Sequence, residues 1–333
     1  MPPTVSIIVP CFNEQKHILF LLDAIFAQTY PRNLLDVTIA DGLSTDGTHR
    51  AIAAFQQDHP DLRLQVVHNP LRTIPAALNL AIATSSGEII LRLDAHSGPH
   101  TEYIARSVAA LEAGKGENVG GVWEIEPGAR TRMAAAIAVA AAHPLGVGDA
   151  LYRHATQAAQ VDTVPFGAYR RSLIGKIGTY DQSLLANEDY EFNTRIRLAG
   201  GIVWLDPAIR SVYFARSDLA ALAKQYFRYG FWKLKMLQRY PGTLRWRQAL
   251  PPTFLISLLA ACLLSLFYPV FIWLIGFELL CYFGALALAG LQAALKRHEY
   301  FLILGLPLAI AVMHLAWGSG FISSIFLKSG IEN

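Results

Sequence analysis

Asp94 and His96 stand two residues apart after the run Ile89-Ile90-Leu91-Arg92-Leu93. A carboxylate and an imidazole at that spacing could share one metal ion. The same residues also suit a loop turn with an Asx hydrogen bond and a solvated histidine. Two further acidic groups precede them: Glu14 in "VPCFNE", and Asp41 with Asp46 in "ADGLSTDGT". Neither GxxxxGK[ST] nor GxGxxG stands near the first strand, so no glycine-rich loop is on hand to cradle a phosphate. A site made of acids would need a divalent cation to hold a diphosphate, because carboxylates repel it. This favours the metal reading. A later acidic group, Glu188, Asp189 and Glu191, is what a first helical turn collects through the helix dipole without any chemistry.

The elements around these residues follow from periodicity. "TVSIIVP" and "LLDVTIADG" are β-branched runs closed by Pro and Asp-Gly. Between them, Ile18, Leu21, Leu22, Ile25 and Phe26 share one helical face after Asn13, which could cap the helix. "THRAIAAFQQ" reads as a helix, "LRLQVVHN" as a strand, "IPAALNLAIAT" as a helix and "EIILRLDAH" as a strand. This alternation predicts a parallel α/β sheet with its ligand-binding loops at the carboxyl ends of the strands. Asp46, before Gly47-Thr48, fits a structural helix cap. "RMAAAIAVAAAHPLG" predicts a helix up to the residue before Pro144, too short to span a bilayer. "NEDYEFNTRIRLAGG" predicts another, closed by Gly200-Gly201.

The 333 residues are 53% hydrophobic and 16% charged, too apolar for a purely soluble protein. From Gln248 to Leu295 the only Asp, Glu, His, Lys or Arg is Glu278. As helix that stretch would reach about 70 Å, so it must cross a membrane twice, with the turn at Tyr268-Pro269. Tyr300 to Leu327 supplies a third pass, with a kink expected at Pro307. Arg245, Arg247 and the group Lys296-Arg297-His298 then share one face, which the positive-inside rule makes cytoplasmic. Nothing at the N-terminus resembles a signal peptide. The cysteines Cys11, Cys262 and Cys281 imply neither a disulfide framework nor a zinc site. A net charge of +3 gives no argument for nucleic acid.

"SIIVPCFNE", "ADGLSTDGT", the Asp94 cluster, "NEDYEFNTRIRLAGG" and "QYFRYG" stand in the order seen in family 2 glycosyltransferases, which the chain resembles over residues 4 to 240. The DAH triplet, the wording "QYFRYG" and three C-terminal passes resemble most the membrane-bound transferases of bacterial exopolysaccharide assembly, succinoglycan-type glucosyltransferases among them. The resemblance implies a Rossmann-like α/β catalytic domain of GT-A fold and inverting transfer from a nucleotide sugar such as UDP-glucose. It implies a polyprenyl-diphosphate-linked glycan acceptor at the cytoplasmic face of a bacterial inner membrane, beside other glycan-assembly enzymes. The expected organisation is a cytosolic GT-A domain over 1–222, an amphipathic interfacial region over 223–247 and a transmembrane domain over 248–333. Its passes would lie at about 250–268, 270–292 and 300–326.

By the same resemblance, Pro10, Asn13, Glu14 and Asp41 would hold the nucleotide, and Asp94 would bind a Mn²⁺ or Mg²⁺ ion carrying the donor diphosphate. His96 replaces the second aspartate of the family's DxD motif and would be a ligand, a water-mediated partner or a plain neighbour. Glu188-Asp189 falls on the family's ED pair, with Asp189 the base that takes the acceptor's proton. Gln225, Arg228 and Tyr229 match a QxxRW-like motif that closes over donor and acceptor, with Tyr in the final place. The competing reading of that stretch is an interfacial helix, with Tyr226, Phe227, Phe231 and Trp232 at the headgroup boundary and Arg228, Lys233, Lys235 and Arg239 toward anionic lipid. A membrane-anchored nucleotidyltransferase, or a non-catalytic membrane scaffold, would fit part of the pattern.

Overall fold

The computed structural model describes residues 1–327. Residues 328–333, the end of the expected transmembrane region, lie outside the described residues. Nine strands form one sheet: β1 (Val5–Cys11), β2 (Leu35–Asp41), β3 (Arg63–His68), β4 (Ile89–Arg92), β5 (Ser97–Pro99), β6 (Asn118–Glu126), β7 (Ala159–Gln160), β8 (Ala168–Arg170) and β9 (Val203–Phe214). Their order is β3-β2-β1-β4-β8-β6-β9-β5, with β7 paired to β9. β1 runs parallel to β2 and β4, and β2 parallel to β3, as the alternation of strands and helices predicts. The pairings of β4 and β6 with β8, and of β5 and β7 with β9, are antiparallel.

Period two decides which face each β1 residue serves. Val5, Ile7 and Val9 cluster with Ile18, Leu21, Leu22 and Ile25 of the helix Ile18–Phe26. Ile8 joins Ala77, Leu78 and Ala81 of the helix Ile74–Thr84 on the other face. With both faces covered, β1 and β4 are almost wholly buried, while the edge strand β3 is exposed or half-buried throughout. Their shared direction brings the carboxyl ends of β1, β2 and β4 to one edge: Cys11 pairs with Asp41, and Arg92 with Ile8 just inside the edge. Asn13 does not cap the first helix. That helix starts after His17 without a side-chain cap, while Asn13 is left-handed (φ 55°) and its Oδ1 accepts from Thr45 N at 2.8 Å. Asp46 is not the cap of the helix Thr48–Asp58, which is Gly47, but its Oδ1 accepts from Thr48 N at 3.0 Å just before it.

The chain divides into two units: Met1–Glu124 with Ala150–Tyr213, and Ile125–Asp149 with everything from Phe214 on. The second contains three helices long and apolar enough to cross a membrane, Trp246–Ser265, Phe271–Arg297 and Leu302–Phe326. Arg132–Ala142, the short alanine-rich helix, belongs to this unit. Its Ala136, Ile137 and Ala140 are buried with Leu302, Leu306, Ala309, Ile310 and Met313 of the third long helix. Small side chains allow that approach: a Cβ on Gly305 would lie 2.8 Å from the Ala136 Cβ.

The helix Leu219–Arg239 packs against the third long helix through two glycines. A Cβ on Gly230 would come within 2.1 Å of the Trp317 carbonyl oxygen, and one on Gly320 within 2.0 Å of the Phe227 carbonyl oxygen. Lys235 Nζ donates to the carbonyls of Ser324 and Leu327 at 3.1 and 3.2 Å, where helix carbonyls run out of partners. This corrects part of the interfacial reading. Tyr226, Phe231, Trp232 and Lys233 are buried inside the protein and do not form a headgroup ring. Basic and aromatic residues at helical spacing look alike in sequence whether lipid or another helix covers them.

Gly230→Val and Gly320→Val each force a branched side chain into a backbone contact. Overpacking of this kind costs about 1–3 kcal/mol, so each variant should lose several degrees of thermal stability in detergent, followed by intrinsic fluorescence. Gly276→Val, at a position with open space around it, should not.

Candidate active site

β4 ends in a contradiction: Ile89, Ile90, Leu91 and Leu93 are fully buried, and so is Arg92 among them, only 3% exposed. Its main chain is held by an Arg92 N to Gly167 O bond of 3.1 Å. A buried guanidinium must find carboxylates, and this one finds three. Arg92 Nε and Nη2 donate to Asp94 Oδ1 at 3.2 and 3.0 Å, Nη2 also donates to Glu188 Oε1 at 2.9 Å, and Nη1 donates to Asp189 Oδ1. The strand supplies Asp94 directly. A turn follows, in which Ser97 N and Oγ donate to the Asp94 carbonyl at 2.9 and 2.7 Å.

Glu188 and Asp189 arrive from a distant part of the chain. They open the helix Glu188–Leu198, entered through Asn187 in the left-handed conformation (φ 65°). Asn tolerates that conformation better than most residues. The acidic first turn that the helix dipole favours is present, but two of its acids also face Arg92. Asp94 and Asp189 keep about a quarter of their side chains exposed, whereas Arg92 has almost none. Burial pushes the Asp189 carboxyl up. Arg92 opposes this, Glu188 and Asp94 reinforce it by repulsion, and the result is about 7.

Beside this group, Glu14 lies between two imidazoles. Its Oε1 is 3.0 Å from His96 Nδ1 and its Oε2 is 3.1 Å from His17 Nδ1. Burial works to raise Glu14, but the hydrogen bonds to His96 and then His17 outweigh it, holding the carboxyl below the usual range. Asp41, at the end of β2, is fully buried. It accepts from Ser44 Oγ and N at 2.5 and 2.9 Å and pairs with His49 Nε2 at 2.8 Å. Ser44 Oγ in turn accepts from Asn13 N at 2.8 Å, lacing the loops after β1 and β2 together. Pro10 sits within β1 opposite Ala40.

Of the residues singled out in the sequence, then, Asp94, Glu188 and Asp189 meet at Arg92, His96 meets Glu14, and Asn13 meets Asp41 through Ser44. Gln225, Arg228 and Tyr229 lie on the second unit's helix Leu219–Arg239, where Gln225 Nε2 donates to Tyr229 Oη at 2.9 Å. Among the described residues no group of three or more His, Cys, Asp or Glu forms a metal cage. Sequence reasoning missed Arg92 and His17. For Arg92 a signal existed: an arginine inside an apolar strand needs partners. For His17, on the loop before a helix, there was none.

Residues 6–178 match the model of glycosyl transferase family 2. The chain belongs to this family. Arg92, Asp94, His96, Glu14 and Asp41 fall inside the matched segment, and Glu188 and Asp189 just beyond it. The family 2 chain is 30% identical over 322 residues to the succinoglycan biosynthesis protein ExoA of Rhizobium meliloti (strain 1021), covering 95% of this chain and 93% of that protein. It is 27% identical over 325 residues, 96% of this chain and 97% of the other, to the dolichyl N-acetyl-alpha-D-glucosaminyl phosphate 3-beta-D-2,3-diacetamido-2,3-dideoxy-beta-D-glucuronosyltransferase of Methanococcus voltae. Its fold resembles the mannosyltransferase PcManGT from Pyrobaculum calidifontis, solved with GDP-Man and Mn²⁺. The TM-score is 0.61 at 21% identity, over 95% of this chain and 88% of that one. The curled mixed sheet of this glycosyltransferase is thus the GT-A fold, and its three long apolar helices fit transmembrane helices.

Asp41→Ala should strip partners from Ser44 and His49 and loosen both loops. Losing such buried bonds costs about 1–3 kcal/mol, a few degrees in the unfolding midpoint of the detergent-solubilised protein.

Proposed function

We propose that this family 2 glycosyltransferase moves one sugar, with inversion, from a nucleotide-sugar donor to a polyprenyl-diphosphate-linked glycan at the cytoplasmic face of a bacterial membrane. The observation that carries the reading is Asp189. Its carboxylate is partly exposed, is raised toward neutrality and is linked through Arg92 to Asp94. Inverting transfer needs one base on the face opposite the leaving nucleotide, and a base works best with a proton affinity near the working pH. Asp189 takes the proton of the acceptor hydroxyl as that oxygen attacks the anomeric carbon. Asp94 serves the leaving side.

The donor set suits a divalent cation. Asp94 offers a carboxylate, and His96 an imidazole whose Nδ1 is engaged by Glu14, the kind of partner that fixes the tautomer of a metal-binding histidine. Three carboxylates around one guanidinium also outnumber the cation they share. Asp94 and His96 would hold Mn²⁺ or Mg²⁺ with oxygens of the donor diphosphate, the ion neutralising charge on the departing nucleoside diphosphate. Pro10, Asn13, Glu14 and Asp41 serve the nucleotide and Glu188 supports the pair, while Gln225, Arg228 and Tyr229 carry the QxxRW-like motif on the second unit.

The acceptor reading rests on the membrane unit. A cytosolic nucleotide sugar requires no bilayer, so the apolar helices serve a lipid-borne acceptor, raising its effective concentration near the base. The methanococcal relative's name specifies a dolichyl phosphate-linked sugar acceptor. Arg245 and Arg247 at the start of the first span and Lys296-Arg297 at the end of the second would share one side, which supports a cytoplasmic catalytic unit. Transfer would release nucleoside diphosphate and no pyrophosphate, the opposite of nucleotidyltransferase chemistry.

Asp189→Asn should keep donor affinity and lose turnover by about 10²–10⁴-fold, the usual cost of removing a general base. A matching loss of donor affinity would make Asp189 a binding residue. Because the base acts unprotonated and its proton affinity is raised, kcat of the parent enzyme should climb with pH through the region of 7 and level off above it. The residual activity of the Asn variant should lack that limb.

Excess chelator should abolish nucleoside diphosphate release from a nucleotide sugar in membranes, and Mn²⁺ or Mg²⁺ should restore it. Full activity in chelator would exclude the metal role of Asp94 and His96.

A further inference from the structure

The geometry points to Arg92 as the positioning residue of the transfer reaction, a buried fork that sets the carboxylate on the attacking side against the carboxylate on the leaving side. This rests on the reading of Asp189 as the base. Arg92 is 3% exposed and its main chain is fixed within the sheet, so its guanidinium does not reach substrate and acts through the residues it holds. Nε and Nη2 grip Asp94, two residues along the same chain, while Nη1 grips Asp189 from the helix Glu188–Leu198. Nη2 also takes Glu188, the neighbour of Asp189. One planar group therefore spans both ends of the reaction coordinate.

Stability alone does not call for a guanidinium here. Ile90, on the same face of the strand, is fully buried, and exchanging a whole buried ion cluster for apolar residues is often neutral or stabilising, whereas removing one partner is not. Arginine is also the residue whose chemistry matches the task. Its five donors lie in one plane with fixed directions, whereas lysine offers a single charge on a flexible stem. A fork of that kind fixes the separation and orientation of Asp94 and Asp189 before any substrate arrives. Misplacement of a reacting group by about 1 Å can cost about 10²-fold in rate.

The test uses the full-length enzyme in native membranes, with kcat and donor KM measured for Arg92→Met, Arg92→Lys, Asp189→Asn and the double variant Arg92→Met/Asp189→Asn. Binding of the donor nucleotide, by titration of the purified protein in detergent, checks that each variant is folded. Arg92→Met should lower kcat by about 10²-fold while donor KM changes only a few-fold, and Arg92→Lys should recover part of the loss. On the Asp189→Asn background the same Met substitution should cost at least ten times less, because residues acting through one another are not additive. An equal loss on both backgrounds, or a loss wholly in KM, would overturn the proposal. If Met prevents folding, Arg92→Lys carries the same cycle. Should Asp189→Asn alone leave turnover intact, the base reading fails instead, and that outcome is visible without any Arg92 variant.

Discussion

A cation kept from water at the end of a central strand governs this catalytic unit. Removing a guanidinium from water costs several kcal/mol, so Arg92 can remain in β4 only while carboxylates converge on it. Asp94 comes from the same chain two residues on. The other two must be carried in by a helix about a hundred residues away, and a left-handed Asn187 lets that helix start where its first turn meets the guanidinium. The sheet register, the entry of the helix and the electrostatics of the acids are thus one problem with one solution. Its by-product is a carboxylate, Asp189, whose proton affinity is raised by burial and by the acids beside it.

The loops beyond β1 and β2 follow a different logic. They are tied by polar side chains that turn back on the main chain: Asp41 to Ser44, Ser44 to Asn13, Asn13 to Thr45, Asp46 to Gln15 and Thr48. Such self-satisfaction holds an irregular edge in place without regular secondary structure. Asp41, which family resemblance reads as a nucleotide residue, has a structural task as well, since it is wholly buried under its partners. Any contact it makes with a nucleotide has to be compatible with those bonds.

Much of this was legible from the residue pattern. The β-branched runs and alternating helices gave the parallel half of the sheet, because side-chain period is dictated by backbone geometry. The acids stood out because they cluster where strands end. The antiparallel half was not legible: β7 and β8 are two and three residues long, too short to leave a periodic trace. Nor was Arg92, which reads along the chain as a blemish in an apolar run and becomes meaningful only when residues 188 and 189 are brought beside it. The helix Leu219–Arg239 shows the opposite failure. Its aromatic and basic stripe suggested lipid, yet Phe231, Trp232 and Lys233 are covered by protein, and its contact with the third long helix is made by glycines that a hydropathy reading ignores.

The chain passes from the first unit into the second at residue 125, returns at 150 and leaves again at 214. This interleaving has a temporal consequence. Ribosomes make roughly 5–20 residues per second, so the alanine-rich helix Arg132–Ala142 emerges on the order of ten seconds or more before the segment Leu302–Met313 that covers it. During that interval only earlier members of its cluster, such as Leu222 and Tyr226, are there to cover part of its apolar face. Targeting of the ribosome to the bilayer before synthesis ends would shelter that face. The order in which the polypeptide is made therefore ties completion of the second unit's core to the arrival of the helix Leu302–Phe326.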